Sequence, residues 1–403
     1  MSRVEIIPLP AENPLEEKAP AMLPYSRQAV DEEDIQAVCR VLRSDWLTTG
    51  PMVRVFEEAI AQAVGARYAV AFNSGTSALH GAYFVMGLGA EDEFITSPNT
   101  FVATANAGLY LNATPVFVDI DPHTGNIDAD QIEANITART RLIVPVHYAG
   151  CPADMFKIYH LAQKHGLVVV EDACHALGST YMGKRTGECA ISDMVVFSFH
   201  PVKHITTGEG GAVVTNNKEY YTRLQQFKSH GIVRDGFGDE SPGDWYYEMN
   251  FLGFNYRMSD IQAALGLSQL SKLDEFVSKR RQIAASYHRA FSGNPYFAIP
   301  GDAADSTSSY HLYPIRLKSR FLSRKKSIFR ALRQRGLGVQ VHYLPVYRHP
   351  YYRGLGFADS FAPNAEDFYA REISIPLFPS MTNRQVESSA DTLLDVFRQE
   401  SVE

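Results

Sequence analysis

A single lysine, Lys203, stands between an apolar segment and a group of glycines in the stretch SFHPVKHITTGEGGAVV, residues 198–214. The preceding residues DMVVFSF are typical of a buried strand, so the ammonium group would lie where a strand ends. Desolvation lowers the pKa of a lysine from about 10.4 and makes the amine usable as a nucleophile and base. A solvated loop lysine is the ordinary alternative, and the apolar and glycine-rich neighbours weaken it.

An acidic pair, Glu171 and Asp172, ends the apolar run VVVEDACHA. Burying a carboxylate is costly unless it is paired. We therefore expect Asp172 to face a cation or an N–H donor. A helix cap or a structural ion pair would explain this residue equally well in isolation.

The stretch FNSGTSAL, residues 72–79, places glycine, threonine and serine at an expected helix start. Backbone N–H groups and hydroxyls at such a start can hold a phosphate, although an ordinary N-cap is the commoner case. A phosphate site, a buried carboxylate and a lysine on one sheet together meet the needs of pyridoxal phosphate. The carboxylate would keep the pyridine nitrogen protonated, and Lys203 would form the Schiff base.

The elements that must position these groups alternate along the chain. Short β-branched runs are separated by segments with helical apolar spacing, which predicts an α/β fold with a mostly parallel sheet covered on both faces. In such sheets, ligands gather at the carboxyl ends of the strands. The runs expected to be strands include YAVAFNS, EFITSP, TPVFVDI, RLIVPVHYAG and LVVVEDAC.

A change in composition near residue 270 predicts a second domain. The pattern over residues 257–291 is that of one long helix, and the region after it is richer in proline, tyrosine and arginine, with strand-like YHLYPIRL and GVQVHYLP. With 403 residues, the chain is long enough for two domains. We expect a loose arm at 1–22, a large domain at 23–270 and a smaller C-terminal α+β domain at 271–403.

Charge and cysteine usage limit the possible partners. The chain has 38 Lys and Arg against 45 Asp and Glu, and no basic run. This argues against nucleic acid and anionic membranes and favours small molecules. The four cysteines lack metal or disulfide spacing, and no apolar stretch of about 18 residues or secretory start is present, so we expect a cytoplasmic protein without a metal.

Several blocks of the sequence resemble the DegT/DnrJ/EryC1/StrS family of sugar aminotransferases, which are fold type I enzymes dependent on pyridoxal phosphate. The blocks occur in the family's order and cover nearly everything after residue 23. They include FNSGTSALH, TFVATANAGLY, VEDACHALGS, FSFHPVKHITTGEGGAVV and FNYRMSDIQAALGLSQL.

The resemblance implies a role for each matching cofactor position. Lys203 would carry the Schiff base and move the proton, Asp172 would pair with the pyridine nitrogen, and His175 would lie near the phenolic oxygen. Phe101 would stack on the ring. Asn255 would reach in from a second subunit, which implies a homodimer with shared active sites. The phosphate would be held by Gly75, Thr76 and Ser198.

The resemblance also implies positions for a nucleotide sugar. An arginine such as Arg257 suits a diphosphate or a carboxylate because its planar group offers paired donors. Two of these positions, Tyr25 and Trp46, could instead pack at a dimer interface, and His342 could be a core histidine. The implied positions are Tyr25, Asp45, Trp46, Leu47, Thr48, Arg257, Gln340, Val341, His342 and Tyr343.

The implied reaction moves an amine from L-glutamate to the ketone of a 4-keto-6-deoxy nucleotide sugar. The blocks favour a UDP-linked, N-acetylated sugar on a route to pseudaminic acid, with dTDP- and GDP-linked sugars as alternatives. Two positions depart from the family pattern, His204 after the lysine and Gly208 where alanine is expected. Both would lie near the cofactor.

Three other functions on the same fold are alternatives. Dehydratases replace the lysine by histidine, and Lys203 argues against that. A non-catalytic regulatory protein would be expected to lose Lys203 or Asp172, and both are present. A cysteine desulfurase would need an exposed, activated thiol at Cys174 or Cys189, and nothing near either residue predicts one.

Overall fold

The computed structural model describes residues 22–234, 242–301, 303 and 305–401, so the first 21 residues of the expected N-terminal arm lie outside the described residues. The strands are β1 (Tyr68–Phe72), β2 (Glu93–Thr96), β3 (Thr114–Phe117), β4 (Thr140–Val144), β5 (Val168–Asp172), β6 (Thr180–Tyr181), β7 (Lys184–Arg185), β8 (Met194–Ser198), β9 (Gly211–Thr215), β10 (Ile232–Val233), β11 (Glu248–Met249), β12 (Phe297–Ala298), β13 (Ser306–Thr307), β14 (Tyr313–Leu317) and β15 (Glu372–Ile375). The helices are α1 (Glu32–Leu42), α2 (Pro51–Val64), α3 (Gly75–Val85), α4 (Ala103–Leu109), α5 (Ala129–Ile132), α6 (Met155–His165), α7 (Lys218–Phe227), α8 (Asp260–Ser271), α9 (Leu273–Ala290), α10 (Lys325–Gln334), α11 (Pro350–Tyr352), α12 (Pro363–Arg371) and α13 (Asn383–Glu400).

A seven-stranded sheet in the order β1-β9-β8-β5-β4-β2-β3 forms the centre of the larger part. The strands from β8 to β3 pair in parallel, whereas β9 runs antiparallel to both β8 and β1. The mostly parallel α/β sheet expected from the sequence is therefore confirmed. Because the parallel strands end on one edge, β5 and β8 bring Asp172 and Ser198 to the same side of the sheet.

Both faces of this sheet are covered, as the period-two alternation of strand side chains requires. In β1, Ala69 and Ala71 contribute to a core shared with Phe56 of α2. The alternating residues Val70 and Phe72 contribute to the opposite core, which α3 and α7 cover. The buried apolar runs of the sequence thus become strands with a helix layer on each side.

A second core lies in the C-terminal part, around the sheet β12-β14-β15 with α10 and α13. Helix α9 links the two cores. Its first turns place Leu273 and Val277 in the core of the large sheet, and its later turns place Ile283 and Tyr287 in the C-terminal core. No helix in the described part of the chain is both long and apolar enough to cross a bilayer.

Two expected elements differ from those in the structure. The single long helix expected over 257–291 is divided at Lys272, whose N–H bonds back to Gln269 and Leu270 instead of continuing one helix. The strand expected at GVQVHYLP is wrong. Only an isolated bridge forms, between Gln340 and Ser374, because the next two backbone N–H groups bond to side chains instead of a neighbouring strand. The N–H of Val341 bonds to the Gln340 side chain, and that of His342 bonds to a glutamate side chain.

Candidate active site

A cavity of about 730 Å³ opens at the carboxyl ends of the parallel strands. Asp172 at the end of β5, Ser198 at the end of β8 and Lys203 in the loop that follows β8 all line it. The segment 340–344 of the C-terminal part forms the opposite wall. Residues that are far apart in the sequence therefore share one solvent-accessible space.

Asp172 presents a buried carboxylate to this cavity, with only 5% of the residue exposed. Thr104 donates its hydroxyl to Oδ2 at 2.7 Å, and the backbone N–H of Cys174 donates to Oδ1 at 3.1 Å. No Lys, Arg or His of the described residues forms an ion pair with it. A buried carboxylate with neutral donors and no ion-pair partner is suited to a cationic ligand group, and a protonated pyridine nitrogen is such a group.

Lys203 is half-buried in the cavity wall, and burial lowers the pKa of its ammonium group from the usual value. Its Nζ lies 3.5 Å from Nε2 of His311. Its backbone carbonyl accepts a hydrogen bond from Arg280 at 3.4 Å. The loop thus holds an amine that is more easily deprotonated than a surface lysine.

Arg280, at 0% exposure, fixes this loop to the C-terminal part. Besides the carbonyl of Lys203, its guanidinium donates to three carbonyls of the chain that follows, those of Tyr310, His311 and Leu377. Burial lowers the pKa of Arg280 to about 9. The buried guanidinium of Arg280 is therefore stabilised by four backbone carbonyls instead of a carboxylate.

The first turn of α3 lines the same cavity as Lys203. Ser74 caps the helix by accepting from the N–H of Ser77, and the amides at the start of the helix lack intrahelical acceptors. Gly75 allows the start of α3 to approach the end of β8, because a Cβ at this position would lie 2.9 Å from Cβ of Ser198. Gly75, Thr76 and Ser198 line one part of the cavity wall, and this arrangement fits a phosphate.

Three buried histidines surround the lysine. His175 and His311 have ring centroids 4.3 Å apart, and Nε2 of His175 lies 3.1 Å from the hydroxyl of Tyr343. The Nδ1 atoms of His175, His204 and His311 have no hydrogen-bond partner among the described residues. Burial lowers the pKa of all three rings well below 6.5, so they are neutral at pH 7.

The C-terminal wall brings four of the expected sugar positions together, Gln340 to Tyr343. Tyr25 joins them, with its ring centroid 5.3 Å from that of His342. Phe101 also lines the cavity and is 59% exposed.

Other expected positions do not line this cavity. Asp45, Trp46, Leu47 and Thr48 are exposed on the surface of the chain, next to the start of α8. Asn255 is exposed as well. Arg257 is half-buried and donates to the hydroxyl of Ser229 at 3.3 Å.

The sequence did not single out Thr104, His311 or Arg280, although each contacts the site. Thr104 lies in the block TFVATANA. Its hydroxyl, three residues after Phe101, was the only local sign that it could contact the site. His311 is 108 residues from Lys203, and nothing local in the sequence predicts that contact. The thiol of Cys174 also lines the cavity, and burial raises its pKa well above 9. The same is true of the pKa of Cys189, which argues against either thiol as a nucleophile.

Known proteins resemble this chain over most of its length. A family model described as DegT/DnrJ/EryC1/StrS aminotransferase family matches residues 28–394. The UDP-4-amino-4,6-dideoxy-N-acetyl-beta-L-altrosamine transaminase of Campylobacter jejuni (strain 81-176) is 41% identical over 378 residues, which are 93% of this chain and 97% of that protein.

Solved structures share the fold as well. Helicobacter pylori PseC, an aminotransferase involved in the biosynthesis of pseudoaminic acid, has a TM-score of 0.88 and 40% identity, covering 94% of this chain and 100% of its own. The Streptococcus pneumoniae protein Spr1654 in its PLP form has a TM-score of 0.88 and 31% identity, covering 94% and 99%.

Proposed function

Because the chain belongs to the DegT/DnrJ/EryC1/StrS aminotransferase family, we propose that it moves an amine from L-glutamate to C4 of a UDP-linked 4-keto-6-deoxy-N-acetylhexosamine. The product is UDP-4-amino-4,6-dideoxy-N-acetyl-β-L-altrosamine, a precursor of pseudaminic acid. The observation that carries this proposal is the 41% identity with a transaminase of that name, which extends over 93% of the chain. The resemblance expected from the sequence blocks is thereby confirmed at the level of the family.

Pyridoxal phosphate is the cofactor of this enzyme, and the residues of the cavity fit it. Asp172 would hold the pyridine nitrogen, because its buried carboxylate has donors but no cation. Gly75, Thr76 and Ser198 would hold the phosphate at the start of α3. When bound, the cofactor carries the amine between the two substrates and serves as the sink for electrons from the amino carbon.

Lys203 is the residue that moves the proton. Burial lowers the pKa of its Nζ, so that the amine can take a proton from the amino carbon of glutamate and return one to C4 of the sugar. His311 is neutral and lies 3.5 Å from Nζ. Because it adds no second positive charge, the amine of Lys203 can be either protonated or deprotonated. His175 is also neutral and is hydrogen-bonded to Tyr343. It would orient the edge of the cofactor ring that carries the phenolic oxygen.

The acceptor sugar would bind between Phe101 and the wall formed by residues 340–343. Tyr25 closes one end of that wall, and the aromatic side chains there exclude water from the reacting carbon. Placement of the sugar in this space decides which face of C4 receives the proton.

The active enzyme would be a homodimer in the cytoplasm. Two large apolar side chains next to the start of α8 support a dimer, because both are exposed on the single chain. They are Trp46, 55% exposed, and Leu47, 48% exposed. These positions, with Arg257 and Asn255, would complete the site of the partner chain rather than their own. We expect the enzyme in the cytoplasm because nucleotide sugars and glutamate are supplied there.

The deciding experiment is amination of a panel of UDP-, dTDP- and GDP-linked 4-keto-6-deoxy sugars with glutamate as donor. Each product is identified by mass spectrometry and NMR. Turnover of the UDP-linked N-acetylated ketosugar alone supports the proposal. A preference for a dTDP or GDP sugar would remove the pseudaminic acid assignment and retain the aminotransferase. Bleaching of the cofactor absorbance by glutamate separates an enzyme from a non-catalytic binding protein.

A further inference from the structure

His342 is connected to a buried acid through one hydroxyl. Its Nδ1 lies 2.8 Å from Oγ of Ser374, and that hydroxyl lies 2.5 Å from Oε1 of Glu372. The second carboxyl oxygen, Oε2, accepts the backbone N–H of His342 at 2.7 Å. Glu372 and Ser374 are both 0% exposed and do not line the cavity. Any effect of theirs on a ligand must therefore pass through His342.

The opposite side of the His342 ring is available to a ligand. Its Nε2 makes no hydrogen bond with any described residue, and the ring forms part of the cavity wall. The ring is held between the aromatic rings of Tyr25 and Tyr343, at centroid distances of 5.3 and 4.9 Å. Tyr148 fixes the backbone by donating its hydroxyl to the His342 carbonyl at 2.8 Å. The one ring nitrogen left for the substrate is thus Nε2.

Whether this nitrogen donates or accepts depends on the protonation of Glu372, since a serine hydroxyl carries only one hydrogen. If Glu372 is ionised, Ser374 donates to the carboxylate and must accept from Nδ1–H, which leaves Nε2 as an acceptor. If Glu372 is neutral, Oε2 still accepts the backbone N–H, so the acid hydrogen lies on Oε1. Ser374 then accepts that hydrogen and donates its own to Nδ1. Nε2 consequently carries the ring hydrogen.

The surroundings favour the neutral acid. Within the described residues no cation lies at ion-pair distance from Glu372, and isolated buried carboxylates are unfavourable. Burial raises the pKa of Glu372 above its usual value, against the opposing charge of Lys325. Burial also lowers the pKa of Lys325, whose Nζ donates to the carbonyl of Tyr369 instead of to Glu372. Burial also lowers the pKa of His342 to about 3, so the ring itself stays neutral.

We propose that Glu372 and Ser374 are positioning residues that fix His342 in the tautomer with hydrogen on Nε2, so that the ring donates a hydrogen bond to a carbonyl oxygen of the sugar substrate. Only the identity of the acceptor oxygen rests on the proposed function. The tautomer itself follows from the polar chain behind the ring.

The tautomer can be measured without turnover. The holoenzyme is labelled with ¹⁵N-histidine, and nitrogen shifts are recorded at pH 7, with the His342 signals identified by their loss in His342→Asn. We expect Nδ1 at the shift of an unprotonated ring nitrogen and Nε2 coupled to a hydrogen. Hydrogen on Nδ1 would overturn the proposal.

Two variants test the chain behind the ring. Glu372→Gln retains the polarity of the neutral acid, because the amide oxygen can accept the His342 N–H and the amide nitrogen can donate to Ser374. It should leave the tautomer unchanged and kcat/KM for the sugar within about twofold. Ser374→Ala breaks the chain and should give a mixture of tautomers and a loss of about tenfold in kcat/KM for the sugar, with the glutamate half-reaction unchanged.

Ser389→Ala is the matched control, since Ser389 is also buried and donates its hydroxyl to the Gln385 carbonyl, away from the polar chain behind His342. It should alter neither the tautomer nor the kinetics. A shift of hydrogen to Nδ1 in Glu372→Gln would contradict the proposal, as would an unchanged tautomer in Ser374→Ala. If the expected tautomers are found and no UDP-ketosugar is turned over, the positioning role stands and the proposed substrate is wrong.

Discussion

The hydroxyl of Thr104 donates to Oδ2 of Asp172 at 2.7 Å, which joins the first turn of α4 to the end of β5. Thr104 is itself held by Thr100, with 2.7 Å between the two hydroxyl oxygens. Because Asp172 forms no ion pair within the described residues, this hydroxyl is one of the donors that fix its carboxylate toward the cavity. If Asp172 holds the cofactor as proposed, the orientation of the cofactor depends on Thr104, a residue that does not carry charge.

Thr104→Val should weaken cofactor binding while preserving the volume of the side chain. A hydrogen bond to a charged group is worth about 1.5–3 kcal/mol, so the dissociation constant of pyridoxal phosphate should rise on the order of tenfold or more. Equilibrium dialysis with absorbance detection measures it. Thr104→Ser keeps the hydroxyl and is the control. Equal affinities for the two variants would show that the hydrogen bond is unimportant.

Gly75→Ala should reduce affinity for the cofactor's phosphate. The new Cβ would lie 2.9 Å from Cβ of Ser198, so the start of α3 must move away from the end of β8. We expect a loss of about tenfold or more in binding of inorganic phosphate to the apoenzyme and of the cofactor. Gly89→Ala is the matched control, because a Cβ there meets nothing within 4 Å. Wild-type phosphate binding in Gly75→Ala would refute the phosphate site.

Lys203→Ala should abolish amine transfer and leave the fold intact. Removal of the group that moves the proton should lower the rate by a factor on the order of 10³ or more. Lys203→Arg should be equally inactive, because a guanidinium cannot be deprotonated near neutral pH. Single-turnover assays with glutamate give the rate, and thermal unfolding checks the fold. Substantial turnover in either variant would exclude Lys203 as the catalytic residue.

Coexpression of two inactive chains tests whether the site is shared. If Asn255 acts in the partner's site, Asn255→Ala and Lys203→Ala should each be inactive, and their mixed dimers should contain one intact site. About a quarter of wild-type activity should then return on random pairing. Separately tagged chains allow the mixed dimer to be purified and assayed. Recovery would be absent if Asn255 served its own chain's cavity.

The buried histidines predict a loss of stability in acid. Their folded-state pKa values lie well below 6.5 and the unfolded-state value is about 6.5, so below pH 6.5 the unfolded chain binds more protons. The free energy of unfolding should therefore be constant above pH 6.5 with respect to these groups. It should fall below that pH by up to about 1.4 kcal/mol per pH unit for each histidine.

His204→Asn should reduce that slope by the contribution of one histidine. Its ring is buried beside Lys203 and Arg280, whose charges also oppose protonation. Urea unfolding of the apoenzyme between pH 7 and pH 5 gives the slopes. His160→Asn, at an exposed position, should leave the slope unchanged. The same slope in the wild type and His204→Asn would contradict the prediction.

The sequence predicts the sheet well because its strands are set by local patterns. The runs that end at Asp172 and Ser198 are apolar and β-branched, and parallel strands bring their ends together without further information. The contacts of Thr104 and His311 could not be predicted in this way, since 68 and 108 residues separate them from Asp172 and Lys203. The contact of Thr104 forms when α4 packs on the large sheet, and the contact of His311 forms when the C-terminal part packs against that sheet.

At residues 338–345, the sequence predicts a strand that the structure does not contain. Its alternation of apolar and polar residues is that of a strand, yet the N–H of His342 bonds to Glu372, and Gln340 alone forms a bridge. The pattern of apolar side chains does not determine which acceptor each backbone N–H will bond to. Here the acceptor is a side chain on β15.

The four backbone acceptors of Arg280 have a consequence for the order of synthesis. They lie on the loop of Lys203, on the segment before β14 and, at Leu377, just after β15. A nascent chain that has not yet released Leu377 from the ribosome leaves a buried guanidinium without its full set of partners. The loop of Lys203 can be locked only after the C-terminal part has been translated, so a chain truncated before Leu377 would lose its amine-transfer activity as a whole.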